Sequence, residues 1–533
     1  MIRNSKQFIN DWFVIFILFV SGWKYIYGLE KILDIGLYDE SNYLYSGVKL
    51  FSNGFPDAES APLYTIWYYL LSLLQPDIIE LYFLNYKILT VLPPILLYIL
   101  LRKQKVQIIP SVIISSFFLI SDANFFVSPK VSHFSLVIIM VFLILAIYMK
   151  KSLFNSFAFI LVGSLLSTYV RPEFFLTYLI FLFIFTGLLA VSKFKKLQSS
   201  EQVAFVAVVL VSGILIISLG LPISGNRSLM AFGQHFSINW IYWNSSGLSP
   251  WTNWEDIINQ SFGNIHSPME ALFSNPFLFL KHTVFNFITA PNLFVNLFFQ
   301  HTNLVFSNTL KATEGNILFG LFVLYMFVSS KNWIPKLHDR INTNRHLLVF
   351  CSCFLITSFL SVIIIFPRPH YLLIPGVLII IATASLVIGD DEKQSFHRLS
   401  LVIFGLIIFF LTPQVYQGAE ANKPNLQTII FIKSLHIKNE INMLEAEGGY
   451  CIYLENKCHR VAEYEKHVSF NDFLMNRKIN MIVLSNRLKS DSRFRNDEEC
   501  KYFLDNYMEF GYVKMNIPDI ERELIVKKQL LFP

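Results

Sequence analysis

The sequence predicts an α-helical polytopic membrane protein with a small α/β domain at its C-terminal end. Three observations carry this. First, 54% of the 533 residues are hydrophobic, only 15% are charged, and mean hydropathy is +0.50; ordinary soluble domains are about 25% charged. Second, the apolar residues, 53 Phe among them, gather in runs near the roughly 20 residues that cross a bilayer. Third, residues 418–533 change composition sharply and hold 17 Lys/Arg against 17 Asp/Glu. Disorder is excluded, because disordered chains are polar. With five Cys, so is a disulfide-stapled miniprotein.

Eleven spans are expected, at about 12–29, 80–101, 107–121, 132–149, 153–170, 174–191, 203–221, 315–330, 347–366, 371–389 and 398–416. The first follows Arg3 and Lys6 but has no small-residue cleavage site after it, so it reads as a retained span. The apolar stretches 62–74 and 277–306 are broken by Pro, Asn, His or Gln and read as interfacial or re-entrant helices.

Charge sets the orientation. With the N-terminus in the cytoplasm, the inside segments carry 16 Lys/Arg and 6 Asp/Glu. The outside segments before residue 418 carry 8 and 14. Arg102-Lys103-Lys105, Lys150-Lys151 and Lys193-Lys195-Lys196 then mark cytoplasmic turns. The expectation is a multi-pass inner (plasma) membrane protein whose outer face bears loops at about 30–61 and 222–314 and the C-terminal domain. The formal charge of +6 resides in 1–417 and reports orientation, so nucleic acid is not an expected partner.

In the tail, 427–446 and 498–508 read as helix, and GYCIYL at 449–454, NMIVLS at 480–485 and ELIVKK at 523–528 read as strands. Cys351 and Cys353 read as buried small residues. A Cys451–Cys458 bridge is admitted but not favoured. No CxxC, HExxH, EF-hand or D-x-D pattern is present, so neither metal nor other cofactor is expected.

The polar groups that punctuate the spans fall on the acidic, outer side. Asp39 and Glu40 open a helix-like stretch with Tyr43, where an interfacial helix cap is the bland reading. A Pro-opened aromatic helix follows at 60–71, with Tyr64. Arg171 and Glu173 lie in a Pro-containing turn, Arg368, His370 and Tyr371 in a short hairpin, and Arg227, Gln234, His235 and Asn239 in the large loop. Each group alone reads as a turn or a loop. Together they supply a carboxylate pair, several cations and many aromatics, which is what sugar transfer from a lipid phosphate requires.

The order of these pieces resembles the GT-C superfamily of membrane glycosyltransferases, in the branch of protein O-mannosyltransferases and lipid A aminoarabinose transferases. Asp39-Glu40 with Tyr43 is similar to that family's DE-x-x-Y pattern. Ala61-Pro62-Leu63-Tyr64 is similar to its K-P-P-L helix, and Arg368, His370-Tyr371-Leu372 and Pro375 to its R-Y-x-L-x-P hairpin. The resemblance covers roughly 1–417. It implies a polyprenyl-phosphate sugar donor and a glycan, lipid or protein acceptor. Asp39 would be the general base with Glu40 beside it. Arg368, His370, Arg227 and Arg171 would bind the donor phosphate. Tyr43, Tyr64, Glu173, His235 and Tyr371 would bind substrate. One departure matters: the family's lysine is Ala61 here, so its phosphate-binding role falls to another cation. A lipid-linked glycan polymerase or ligase, a lipid or sugar transporter, and a glycan sensor are the competing readings.

Overall fold

The computed structural model describes residues 2–149, 151–192, 197–222, 227–299, 333–388, 398–454, 458–461, 468–491 and 493–531. Most of them are helical, and a five-stranded sheet lies near the C-terminal end. Seven helices among the described residues are long and apolar enough to cross a membrane. The expected spans at 107–121, 153–170 and 398–416 form shorter apolar helices, Ile108–Ile120, Leu153–Thr168 and Leu399–Leu411. The span expected at 315–330 lies outside the described residues.

The chain divides into two compact units. The first comprises Met1–Tyr27, Phe55–Ile66 and Asn85–Gln417. Its core is apolar along several helices at once, with Leu136, Leu143, Leu165, Phe350, Phe354 and Leu378 almost fully buried. The helix Ser199–Leu219 is apolar throughout, yet only 11% of its most apolar window is buried. Val203, Ile214 and Ile217 are exposed on it. In water such a surface would be a liability; against lipid it is the stable arrangement. The stretch read as an interfacial or re-entrant helix at 277–306 is helical over Pro276–Phe299, running through Pro291, and its remainder lies outside the described residues. A second apolar cluster, built on Phe232, Phe236, Ile257 and Phe262, holds the segment after residue 227 in place. Gly233 is required there, because a Cβ would stand 2.3 Å from the Trp254 ring.

The second unit comprises Gly28–Gly54, Trp67–Leu84 and Gly418–Pro533. The composition change at residue 418 therefore marks only one of its borders. The reason is hydrogen bonding that composition does not announce. Asp34 accepts from the backbone N–H groups of Asn425 and Leu426, each at 2.9 Å, and so caps the helix Pro424–Ser434 from far away in sequence. Tyr38 N–H donates to the Gly448 carbonyl at 3.0 Å, and the Tyr453 hydroxyl to that of Gly36 at 3.2 Å.

Its sheet has the order β2-β1-β3-β5-β4. The strands are β1 (Ile441–Leu444), β2 (Cys458–Val461), β3 (Met481–Leu484), β4 (Tyr512–Asn516) and β5 (Glu523–Lys527). β1 is parallel to β2 and β3, and β5 is antiparallel to β3 and β4. The runs at 480–485 and 523–528 are strands as expected, and Glu498–Asn506 is helical. Two expectations fail. Residues 427–446 are not one helix, since Ile441–Leu444 is β1. GYCIYL is not a strand, since Tyr450–Tyr453 is a helical turn. That turn buries Tyr450 and Tyr453 completely, a pair three apart that shares a face only in a helix. The less favoured disulfide between Cys451 and Cys458 is present, joining that turn to β2, while Cys351, Cys353 and Cys500 are free.

Candidate functional site

The first unit gathers the expected cations. Arg171 precedes the 3-10 turn Pro172–Phe174 and is 6% exposed. Its Nε donates to Glu173 Oε1 at 2.7 Å, and its Nη1 to Ser132 Oγ at 2.6 Å. The guanidinium carbon lies 4.6 Å from the centre of the Tyr371 ring. Arg368 stands immediately before the helix Pro369–Val387, and its guanidinium lies 4.8 Å over the Trp251 ring. The short connection from Ile364 to Pro369, with proline at the first helical position, fixes both His370 and Tyr371 behind it. Their rings are 4.4 Å apart.

His235 comes from the helix Arg227–Asn244 and is 4% exposed. Its ring stacks on Phe366 at 5.7 Å and meets Trp251 and Tyr371 edge-on. Nδ1 bonds the Ala231 carbonyl at 2.6 Å, so Nδ1 carries the proton in the neutral ring. Nε2 is buried without a hydrogen-bond partner among the described residues. Burial, then the Arg368 charge, pushes the His235 pKa down to about 3, so the ring is neutral near pH 7. Arg227 anchors the start of the same helix: its N–H donates to Glu59 Oε2 at 2.9 Å and its Nη1 to the Glu59 carbonyl at 2.7 Å.

The Tyr371 ring meets Arg171, His235 and His370, and the Trp251 ring meets Arg368 and His235. Two guanidinium groups thus sit on linked aromatic rings, Arg171 with Glu173 as its carboxylate partner, while the Arg227 guanidinium is held by the Glu59 carbonyl at the start of the helix that carries His235. This is the composition of an anion site: planar donors held on carboxylates and rings, with net positive charge. Tyr64 is fully buried, and its hydroxyl accepts from Asn85 Nδ2 at 2.8 Å. Ala61 is 1% exposed with φ of 58°.

The carboxylate pair belongs to the second unit. It opens the helix Asp39–Val48 after Tyr38, whose φ is 68°. The two acids diverge, as neighbours on a helix must. Asp39 is exposed, and its carboxylate has no partner among the described residues. Glu40 is 2% exposed and accepts a hydrogen bond from the Tyr68 hydroxyl. Tyr43 is 7% exposed.

Among the described residues, no group of three or more His, Cys, Asp or Glu is arranged to hold a metal ion. The chain matches no protein-family model, and no curated protein matches it. Sequence reasoning missed Glu59, Ser132, Trp251 and Phe366. Glu59, two residues before the Ala61-Pro62 pair, was visible as a charge beside an apolar helix. The other three carry no local signal and acquire their roles only from the cations that pack on them.

Proposed function

We propose that the protein is a membrane glycosyltransferase that moves a sugar from a polyprenyl-phosphate donor to a glycan, lipid or protein acceptor on the extracytoplasmic face. The observation that carries this is the packing of Arg171, Arg368, His235 and His370 on the rings of Tyr371, Trp251 and Phe366, with Arg227 at the start of the helix that carries His235. Apolar helices suit a polyprenyl chain, and a fixed guanidinium cluster suits its phosphate. The Cys451–Cys458 bridge supports an oxidising compartment for the C-terminal unit, as the charge-derived orientation proposes.

The chemistry is a direct displacement. The acceptor hydroxyl or amine attacks the anomeric carbon, and the bond from that carbon to the phosphate oxygen breaks. The electron pair leaves with polyprenyl phosphate. The acceptor's proton passes to a carboxylate base, a part the resemblance gives to Asp39, whose carboxylate is exposed and has no partner among the described residues. Phosphate leaves without a protonating acid, so the arginines need only stabilise the charge growing on it. The anomeric centre would invert. Glu40, bonded to Tyr68, would position the helix that carries Asp39.

Incubation of the purified protein with candidate polyprenyl-phosphate sugars and acceptors, followed by mass spectrometry of the products, tests the reading. A glycosylated acceptor with release of polyprenyl phosphate supports it. Movement of lipid or sugar across a vesicle membrane with no covalent product would replace it by transport.

A further inference from the structure

The C-terminal sheet contains a switch point. From β1 the chain passes to β2 on one side, then crosses to β3 on the other side of β1. In open α/β sheets, ligands bind in the crevice outside the carboxyl ends of such a strand pair, because the loops that follow part there. Here those loops begin after Leu444 and Leu484. β5 starts at the same edge, with Glu523 opposite Leu484, so the turn before it arrives there too.

A cavity of about 710 Å³ opens at this edge. That volume falls within the range of small-molecule sites. Glu447, Ser485, Asn486, Asp519 and Arg522 line it, each from one of these three loops. Glu447 is 6% exposed, and its Oε2 is buried without a hydrogen-bond partner among the described residues. A buried carboxylate oxygen left so is costly unless a donor arrives from outside.

The lining also says what kind of donor. Glu447, Asp519 and Glu521 face Arg487 and Arg522, so the cavity has no positive excess with which to hold an anion. Both arginines are engaged. Arg522 Nη1 donates to Asn425 Oδ1 at 2.9 Å and to the Tyr450 hydroxyl, while the Arg487 guanidinium lies 4.5 Å over the Tyr38 ring. The amides of Asn422, Asn425 and Asn486 and the hydroxyl of Ser485 add donors and acceptors side by side. A ligand dense in hydroxyl groups, each both donor and acceptor, satisfies such a lining.

We infer that this cavity is a saccharide-binding site in which Glu447 Oε2 accepts a hydrogen bond from a sugar hydroxyl. The inference stands whether or not Asp39 is a catalytic base.

The test uses the full chain in lipid nanodiscs. Methyl glycosides of glucose, mannose, galactose and N-acetylglucosamine are the probes, inorganic phosphate is the competitor, and saturation-transfer NMR is the readout. At least one glycoside should bind. Its affinity should fall about tenfold in Glu447→Gln and in Asn486→Ala, from loss of one hydrogen bond, and stay unchanged in Asp39→Asn. Asn486 is exposed, so its variant retains the fold if Glu447→Gln does not. Absence of glycoside binding, binding that survives both cavity substitutions, or displacement of the glycoside by phosphate would overturn the assignment.

Discussion

Tyr68 donates its hydroxyl hydrogen to the buried carboxylate of Glu40, while the adjacent Asp39 is exposed and has no partner among the described residues. Two neighbouring acids therefore have different tasks. Asp39→Asn should abolish transfer and leave membrane insertion and thermal stability unchanged. Glu40→Ala should instead cost about 1–3 kcal/mol of stability, because it removes a buried hydrogen bond to a carboxylate. Thermal unfolding of both variants, beside a product assay, separates the roles. Full activity in Asp39→Asn would remove it from the mechanism.

Arg171 uses three directions of its guanidinium at once: Glu173, Ser132 and the face of Tyr371. A lysine keeps the charge but not the planar fork. Arg171→Lys should weaken donor use by about 10- to 100-fold, the worth of one or two charge-assisted hydrogen bonds. The measurement is product formation against donor concentration. An unchanged KM for the donor would leave Arg171 as a turn residue only.

His235 gives a pH signature. Its folded pKa is about 3 against an ordinary value of 6.5, because burial and Arg368 disfavour the charged ring. Between those values the unfolded chain binds the proton and the folded chain does not. The contribution of His235 to stability is therefore complete above about pH 6.5 and is lost progressively as pH falls towards 3. The melting temperature of the wild type should drop more steeply over this window than that of His235→Gln. Parallel curves would show that the ring is not held neutral. Near pH 7 no limb of the activity profile should arise from His235.

The Cys451–Cys458 bridge closes a short loop, with a sequence separation of 7. Chain entropy then predicts that Cys451→Ser lowers the stability of the second unit by about 2 kcal/mol. Limited proteolysis with and without reductant measures this. Under denaturing, non-reducing conditions a maleimide should label three thiols, Cys351, Cys353 and Cys500. Five labelled thiols would show that the bridge does not form.

Much of the fold was legible because membrane helices obey a one-dimensional rule. Long apolar runs such as 78–103 and 369–387 are helical whatever packs against them, even with Pro93, Pro94 or Pro375 inside. The tail run MIVL at β3 was legible because a short, continuous apolar run is what a strand buried on both faces requires. Short amphipathic pieces were not. YCIY has strand-like composition, but burial of Tyr450 and Tyr453 on one side makes it a helical turn. INML was hidden in an apparent helix, because its strand character comes from pairing with β2 and β3.

The same division holds for the candidate sites. The sequence by itself determined which polar residues are spared from the apolar runs: Asp39, Glu40, Arg171, Arg227, His235, Arg368 and His370. Charges are scarce where burial is costly, so those that remain are conspicuous. Tertiary structure alone decided their company. It put Arg171 and His370 on the ring of Tyr371 and Arg368 on that of Trp251, gave Glu40 to Tyr68 and left Asp39 exposed. It also joined residues 28–54 and 67–84 to the C-terminal unit, through bonds such as Asp34 to Asn425. Such pairings depend on distance in space, which spacing along the chain does not encode.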